Sequence, residues 1–457
     1  MRAGLLVALV ITLAGCRTYD KKIGTVRENY AAGNFGAALT ETQKKQQDSG
    51  GDALIWRLEH ATILRAAGRI DDSVAAFEGA YELYMRNLDA AKIRLIRGGA
   101  ELLTTPANAP YWGTGYDGIM LCTYQALNAL QGGDVRGARV ELVRAHILQQ
   151  EAVSVNGDRI EKEQAEARKD ANVSTAMDSG KGQISSGIEL ESEIQAELAA
   201  YANYVNPFTV YLDGLYHATQ ALDASDRENA RRSMERASVF APKNTIVKGD
   251  LERVAKEGEI ASGVYVIFET GMAPRLEEKS FKLVLPLQHV PYIGLSYPTL
   301  TPNPHYVRHL VIRSSGRTVT TERVASMDAV IGCEFNNNFP GILAKHISSA
   351  ITKAVATAVA NETARRSRNI WIRLGTWVGT LFYQVATDTA DTRSWQTLPK
   401  EFQVARLDVP PDRVIALVSP NGVGVRSVNL IDGEVVVVYA KSISQFQDMT
   451  VVQFKLR

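Results

Sequence analysis

Cysteine is scarce: three in 457 residues are too few for a disulfide-stapled scaffold. An excess of charge of one sign is also lacking. Lys and Arg total 51 against 50 Asp and Glu, a formal net charge of +1. A nucleic-acid binder carries a basic excess, so no nucleic acid is expected as a partner. Long apolar runs are missing. None approaches the ~20 residues that cross a bilayer, which excludes a polytopic membrane protein. No His-Glu-x-x-His or Cys-x-x-Cys metal spacing occurs. Nor does a Gly-x-Ser-x-Gly elbow or a phosphate-binding glycine loop. His305 and His309 stand four apart, but Pro302 and Pro304 precede them and strand residues follow, which argues against a helical metal pair. Acid pairs assembled from distant segments leave no local mark. An enzyme therefore stays as the minor alternative.

What is present is ordinary globular composition, 45% hydrophobic and 22% charged. The length allows roughly two or three domains. The first residues read as an address. Arg2 supplies a positive start, and residues 5–13 form an apolar run too short to span a bilayer. This is the pattern of a secretory leader. Leu13-Ala14-Gly15-Cys16 resembles the lipobox of bacterial lipoproteins. That resemblance implies removal of residues 1–15 and covalent lipid on Cys16. The thiol would take a diacylglycerol and the freed amine a third chain, and several chains hold a protein stably where one does not. Residue 17 is Arg, not the Asp that commonly retains such proteins at an inner membrane. The resemblance thus implies lipid anchoring at the periplasmic face of the outer membrane, with no cofactor besides the lipid. An exported chain meets oxidising conditions. Cys122 and Cys333 fall in different expected domains and are read as free buried thiols rather than a bridge.

Residues 16–262 read as helix, rich in Ala, Glu, Gln, Arg and Leu. A repeat runs through them. Ala61, Gly68, Ser73, Phe77 and Ala80 share their offsets with Ala126, Gly133, Ala138, Leu142 and Ala145. Ala218, Ser225, Ala230, Met234 and Ala237 share them again, and Val26, Gly33, Ala38, Thr42 and Lys45 form a degenerate copy. Small residues allow two helices to approach, glycine makes the turn, and a bulky residue fills the seam. The pattern resembles the tetratricopeptide repeat, best over 54–84, 119–149 and 211–242, which implies a solenoid with a binding groove. A helical arm is expected as an insertion at 150–205, with a charged stretch at 159–170, a Ser/Gly-rich tip at 172–186 and a returning helix at 189–204. Aromatics cluster at Tyr111, Trp112, Tyr116 and Tyr124, and again at Tyr201, Tyr204, Phe208, Tyr211 and Tyr216. Such residues anchor partners or fill repeat cores.

From residue 263 the periodicity changes to that of strands. Residues 264–268 and 281–287 read as strands, and 307–312 with 318–324 as a hairpin over Ser314-Ser315-Gly316. The proline-rich stretch 291–304 suits a loop or an edge. Residues 341–366 repeat apolar residues at helical spacing. With 370–386, which carries Trp371 and Trp377, they predict a helical hairpin at 341–386. Strands at 402–407, 414–418, 423–430 and 434–441 follow, with turns at Pro410-Pro411-Asp412, Asn421-Gly422 and Asp432-Gly433. A four-strand meander in an antiparallel sandwich is expected. The segment 391–407 is similar to one in bacterial outer-membrane lipoproteins of like layout, for which we assign no activity. Within it, Asp391 and Arg393 are spaced to pair, and Trp395 and Leu398 are expected to plug a sheet edge as a structural corner.

The expected protein is α+β and multidomain: a tetratricopeptide-like helical solenoid, then an antiparallel sandwich-like β-domain (263–457) with an inserted helical hairpin. Its expected role is that of a lipid-anchored periplasmic scaffold that binds envelope proteins during assembly or export. Tyr111, Trp112, Tyr116, Trp371 and Trp377 are the candidate partner-binding residues. The alternatives are an enzyme or enzyme subunit acting on cell-wall polymer, and a structural component of an oligomeric envelope complex. The latter allows self-association.

Overall fold

The structure, a computed structural model, describes residues 18–47, 50–97, 109–167, 169, 174–175, 205–284, 292–366, 390–422 and 424–457. Cys16, the returning helix 189–204 and the second hairpin helix 370–386, with Trp371 and Trp377, lie outside them, as do residues 285–287 of the expected 281–287 strand. So does the 172–186 tip apart from residues 174–175.

The protein is α+β, a helical region followed by a mixed β-sheet region. The helices are α1 (Tyr19–Ala31), α2 (Phe35–Gln47), α3 (Ala53–Ala66), α4 (Ile70–Arg97), α5 (Gly115–Gln131), α6 (Val135–Ala167), α7 (Pro207–Gln220), α8 (Ala224–Phe240) and α9 (Thr245–Glu257). Consecutive helices pack as pairs: α1 on α2, α3 on α4, α5 on α6 and α7 on α8.

The repeat positions explain that pairing. Ala61, Ala126 and Ala218 are fully buried, as are Ser73, Ala138 and Ala230. Phe77, Leu142 and Met234 fill the seams. Three turns are built alike. Gly33, Gly68 and Gly133 adopt φ of 77°, 74° and 78°, and the next residue's N–H reaches the carbonyl five positions back. Those bonds run from Asn34 to Asn29, Arg69 to Leu64 and Asp134 to Ala129, at 2.8, 3.0 and 2.8 Å. This is a left-handed glycine closing a helix. The turn before α8 has no glycine. There Asp223 caps the helix by accepting the Asp226 N–H at 3.0 Å.

The strands are β1 (Gly263–Thr270), β2 (Arg275–Val284), β3 (Tyr292–Thr301), β4 (Val311–Ser314), β5 (Arg317–Thr320) and β6 (Glu322–Ser326). Then come helix α10 (Met327–Arg366) and strands β7 (Glu401–Leu407), β8 (Val414–Val418), β9 (Val425–Asn429), β10 (Val435–Ser442) and β11 (Thr450–Lys455). They form a five-stranded sheet (β11-β10-β1-β7-β6), a four-stranded sheet (β5-β4-β8-β9) and a β2–β3 ribbon.

Three expectations need correction. The β-region is mixed, because β1 and β10 pair in parallel. The closing meander does not form. Only β8 and β9 make a hairpin, while β7 pairs β1 and β6 and β10 joins the other sheet. The buried apolar runs of β1 and β10 suit central strands with both faces covered, and that burial outweighed the turn signals beside them. Finally, α10 begins at Met327 rather than Gly341. The Ser326 hydroxyl accepts the Ala329 N–H at 3.2 Å, an N-cap, and Pro340 is carried inside the helix.

Other expectations match. Ser315 and Gly316 turn the β4–β5 hairpin, both at positive φ (43° and 79°). Pro298 lies in β3, which among the described residues pairs only with β2. Cys122 and Cys333 are free and buried. One buried apolar cluster runs from Tyr19 to Leu456 and joins the helices to one face of the five-stranded sheet. A second lies on the opposite face, where Val264, Val266 and Phe268 meet Ile312, Ile415 and Leu417 of the four-stranded sheet. Among the described residues no helix is long and apolar enough to cross a membrane.

Candidate functional site

The groove expected on the helical region is occupied by the chain itself. Residues 392–400 are buried throughout, and they thread between the helices as an irregular strap that turns at 396–397. The strap enters at the N-terminus of α1, where the Asp20 N–H donates to the Thr392 hydroxyl at 3.2 Å. Arg27 donates to the Gln396 side-chain carbonyl at 3.1 Å, and the Tyr30 hydroxyl to the Thr397 backbone carbonyl at 3.3 Å. Glu59 of α3 does most to hold the backbone. Its carboxylate accepts the consecutive N–H groups of Gln396 (2.8 Å) and Thr397 (3.1 Å), and also the Tyr19 hydroxyl at 3.1 Å.

Trp395 is the anchor. It is fully buried, tilted against Phe77 of α4 and edge-on to Tyr124 of α5, each centroid 6.0 Å away. Its indole N–H donates to the Thr62 hydroxyl at 3.0 Å, as a buried indole requires. The expected plug of a sheet edge is thus a plug of the helical core. Asp391 and Arg393 do pair, at 2.6 Å. Arg393 also donates to Asp52 (2.9 Å) and the Ala109 carbonyl (2.7 Å), with its guanidinium over the Tyr111 ring. The strap then fastens to the β-region. The Ala273 N–H donates to the Leu398 carbonyl at 2.7 Å, and the Lys400 ammonium pairs with Asp328 in the first turn of α10.

The candidate aromatics can now be placed. Tyr111 and Tyr116 are interior. The Tyr111 hydroxyl donates to Asp117 at 2.5 Å, and the Tyr116 N–H donates to Glu334 of α10 at 2.9 Å. Trp112 between them is half-buried. Phe208, Tyr211 and Tyr216 fill the core.

Tyrosine hydroxyls on buried carboxylates recur. Tyr211 and Tyr265 donate to Asp250 at 2.9 and 2.8 Å. Tyr124 and Tyr439 donate to Glu269, which also holds Lys441, its neighbour across the β1–β10 ladder. Arg65 of α3 lies over the Tyr124 and Tyr439 rings, 5.4 and 5.1 Å from their centroids. The environments differ in effect. Burial lifts Glu59 to about 7, against the pull of the hydrogen bonds from Thr397, Gln396 and Tyr19. Burial likewise lifts Asp117 to about 6, against Tyr111 and Thr114. At Glu269 burial acts upward too, but Lys441 and Arg65 together outweigh it and hold the carboxyl below its usual range. Among the described residues no group of three or more His, Cys, Asp and Glu is placed to hold a metal ion.

Sequence reasoning missed Glu59, Thr62, Glu269 and Lys441. One signal was available. Ile55, Glu59, Thr62 and Ala66 share one stripe of α3, so two polar residues sit in line with core positions. No protein family, curated protein or solved structure matches this chain.

Proposed function

We propose that this chain is a lipid-anchored periplasmic scaffold that binds proteins of the cell envelope. One observation carries the binding part. The helical region already grips a buried, turn-containing stretch of chain by carboxylate-to-backbone bonds and an aromatic pocket, main-chain and pocket contacts of the kind peptide-reading modules use. The address rests on the leader and Cys16 alone. In finer architecture we infer a tetratricopeptide-like solenoid, supported by the three matching glycine turns. We also infer a sandwich-like stacking of the two larger sheets, supported by the apolar cluster between them. With the strap seated, the α1–α5 groove is filled, so partners meet other surfaces. The test is in-membrane crosslinking and pull-down of the full chain beside a Cys16→Ala variant. A reproducible envelope partner, lost or changed without the anchor, is the expected result. Recovery of the protein alone, or only of copies of itself, would overturn the scaffold reading.

A further inference from the structure

A second groove lies apart from the strap and is open, with a volume of about 770 Å³. It is lined by Arg426 of β9, Thr450 and Val451 of β11, residues 446–449 just before β11, and the α1–α2 turn at Ala32 and Gly33. β9 ends the four-stranded sheet and β11 ends the five-stranded one. Among the described residues each therefore has one backbone edge without a strand partner, and such edges accept another strand.

The two edges meet at one end through a side chain. Gln453 Nε2 donates to the Asn429 carbonyl at 2.9 Å, and its Oε1 accepts the Ile431 N–H at 3.2 Å. A residue of a neighbouring parallel strand makes that same pair of bonds, to the carbonyl of one residue and the N–H two further on. The Gln453 amide thus stands where a strand's backbone would stand. Towards Arg426, among the described residues, no other segment bonds to the outer edges of 425–427 or 450–452. The rim keeps large apolar side chains in water, with Phe446 70% and Val425 67% exposed. Arg426 and Asp448 hold no hydrogen bond or ion pair among the described residues, though both line the groove.

We propose that this groove takes an extended segment of a partner protein as an added strand. Its backbone would lie along the free edges of β9 and β11, with an acidic side chain against Arg426 and a basic one against Asp448. Apolar side chains on the alternate positions would cover Phe446 and Val425. The occupant is an extended segment rather than a second copy of this chain. A folded sheet edge brings its own sheet behind it, whereas a single segment can lie along the edges of β9 and β11 at once. This inference rests on the scaffold reading and names one surface for it.

The test pans a random-peptide phage library on the full chain and titrates the enriched peptides. Enrichment of alternating β-branched peptides that carry an acidic residue is expected. Arg426→Glu should weaken them by roughly tenfold, and restoring the pairing with a Lys-for-acid peptide should recover most of it. Bound peptide should also protect the backbone amides of 450–452 from hydrogen exchange. Arg426 is exposed, so its variant should keep the parent's melting temperature. No enrichment, binding indifferent to charge reversal, or protection elsewhere would overturn the proposal, as would groove-to-groove crosslinks between copies. An envelope partner that binds Arg426→Glu as well as the parent would leave the scaffold reading standing and this one refuted.

Discussion

The two grooves of this molecule solve the same problem in opposite ways. In the helical region the strap 392–400 fills the slot, and two of its consecutive backbone N–H groups end on a buried carboxylate. At the β9–β11 rim no described segment fills the groove, and a single glutamine amide satisfies two backbone groups at its end. The filled groove joins residues more than 330 positions apart. It is therefore part of the fold, and the open one is where we propose that a partner segment binds. A buried polar slot without an occupant would strand donors and acceptors at a cost of about 1–3 kcal/mol each. An edge at the surface keeps its water.

Breaking the anchors of the two grooves should separate them most sharply. Trp395→Ala removes a fully buried indole and should destabilise the protein by about 3–5 kcal/mol in chemical denaturation. Phe446→Ala at the open rim should stay within about 0.5 kcal/mol. Equal effects would erase the distinction between a structural groove and a free one.

The next effect is one of pH. Glu59 stands at about 7 in the folded protein, above its ordinary value of 4.5, and Asp117 at about 6, above 3.8. The folded state binds the extra protons, so this stability is fully present below the ordinary values and is lost as pH rises through 6 and 7. For Glu59 the loss should be about 3 kcal/mol. Glu269 works the other way, since its depressed value adds stability that disappears only in acid. Denaturation midpoints should therefore fall between pH 5 and 8, and Glu59→Gln should flatten much of that slope. A slope unchanged in Glu59→Gln would place the titration elsewhere.

The smallest effect tests a local feature. Gly316 has φ of 79° and open space where a Cβ would stand. Gly316→Ala should then cost about 1 kcal/mol, from backbone conformation alone. The β4–β5 turn belongs to the four-stranded sheet and Trp395 packs among the helices, so the cost should add to that of Trp395→Ala within about 0.5 kcal/mol. A larger coupling would show that the four-stranded sheet senses the strap.

Much of the local structure was legible. The glycines at 33, 68 and 133 marked turns, the small residues of the repeat marked tight seams, and Ser315-Gly316 marked a hairpin. Proline at 298 marked an edge. These signals work because a turn or a helix face depends on residues within a few positions of one another. The strap was legible only in part. The Asp391–Arg393 pair is two residues wide and could be read. The destination of Trp395 could not, because Thr62, Phe77 and Tyr124 lie hundreds of positions away. Tyr111 and Tyr116 have the composition of partner anchors, but burial engages them inside the chain.

By itself, then, the sequence determined the change from helical to strand periodicity near residue 263, the helix pairs with their turns, the β4–β5 and β8–β9 hairpins, and the edge character of β3. The tertiary structure alone decided that β1 and β10 lie side by side in parallel, that the strap seals the helical groove, and that β9 and β11 leave their edges facing one slot. The reason is physical. Local conformation follows from sterics and short-range hydrogen bonds. The pairing of distant segments follows from burying apolar surface and finding a partner for every buried polar group, a condition that only the assembled chain can meet.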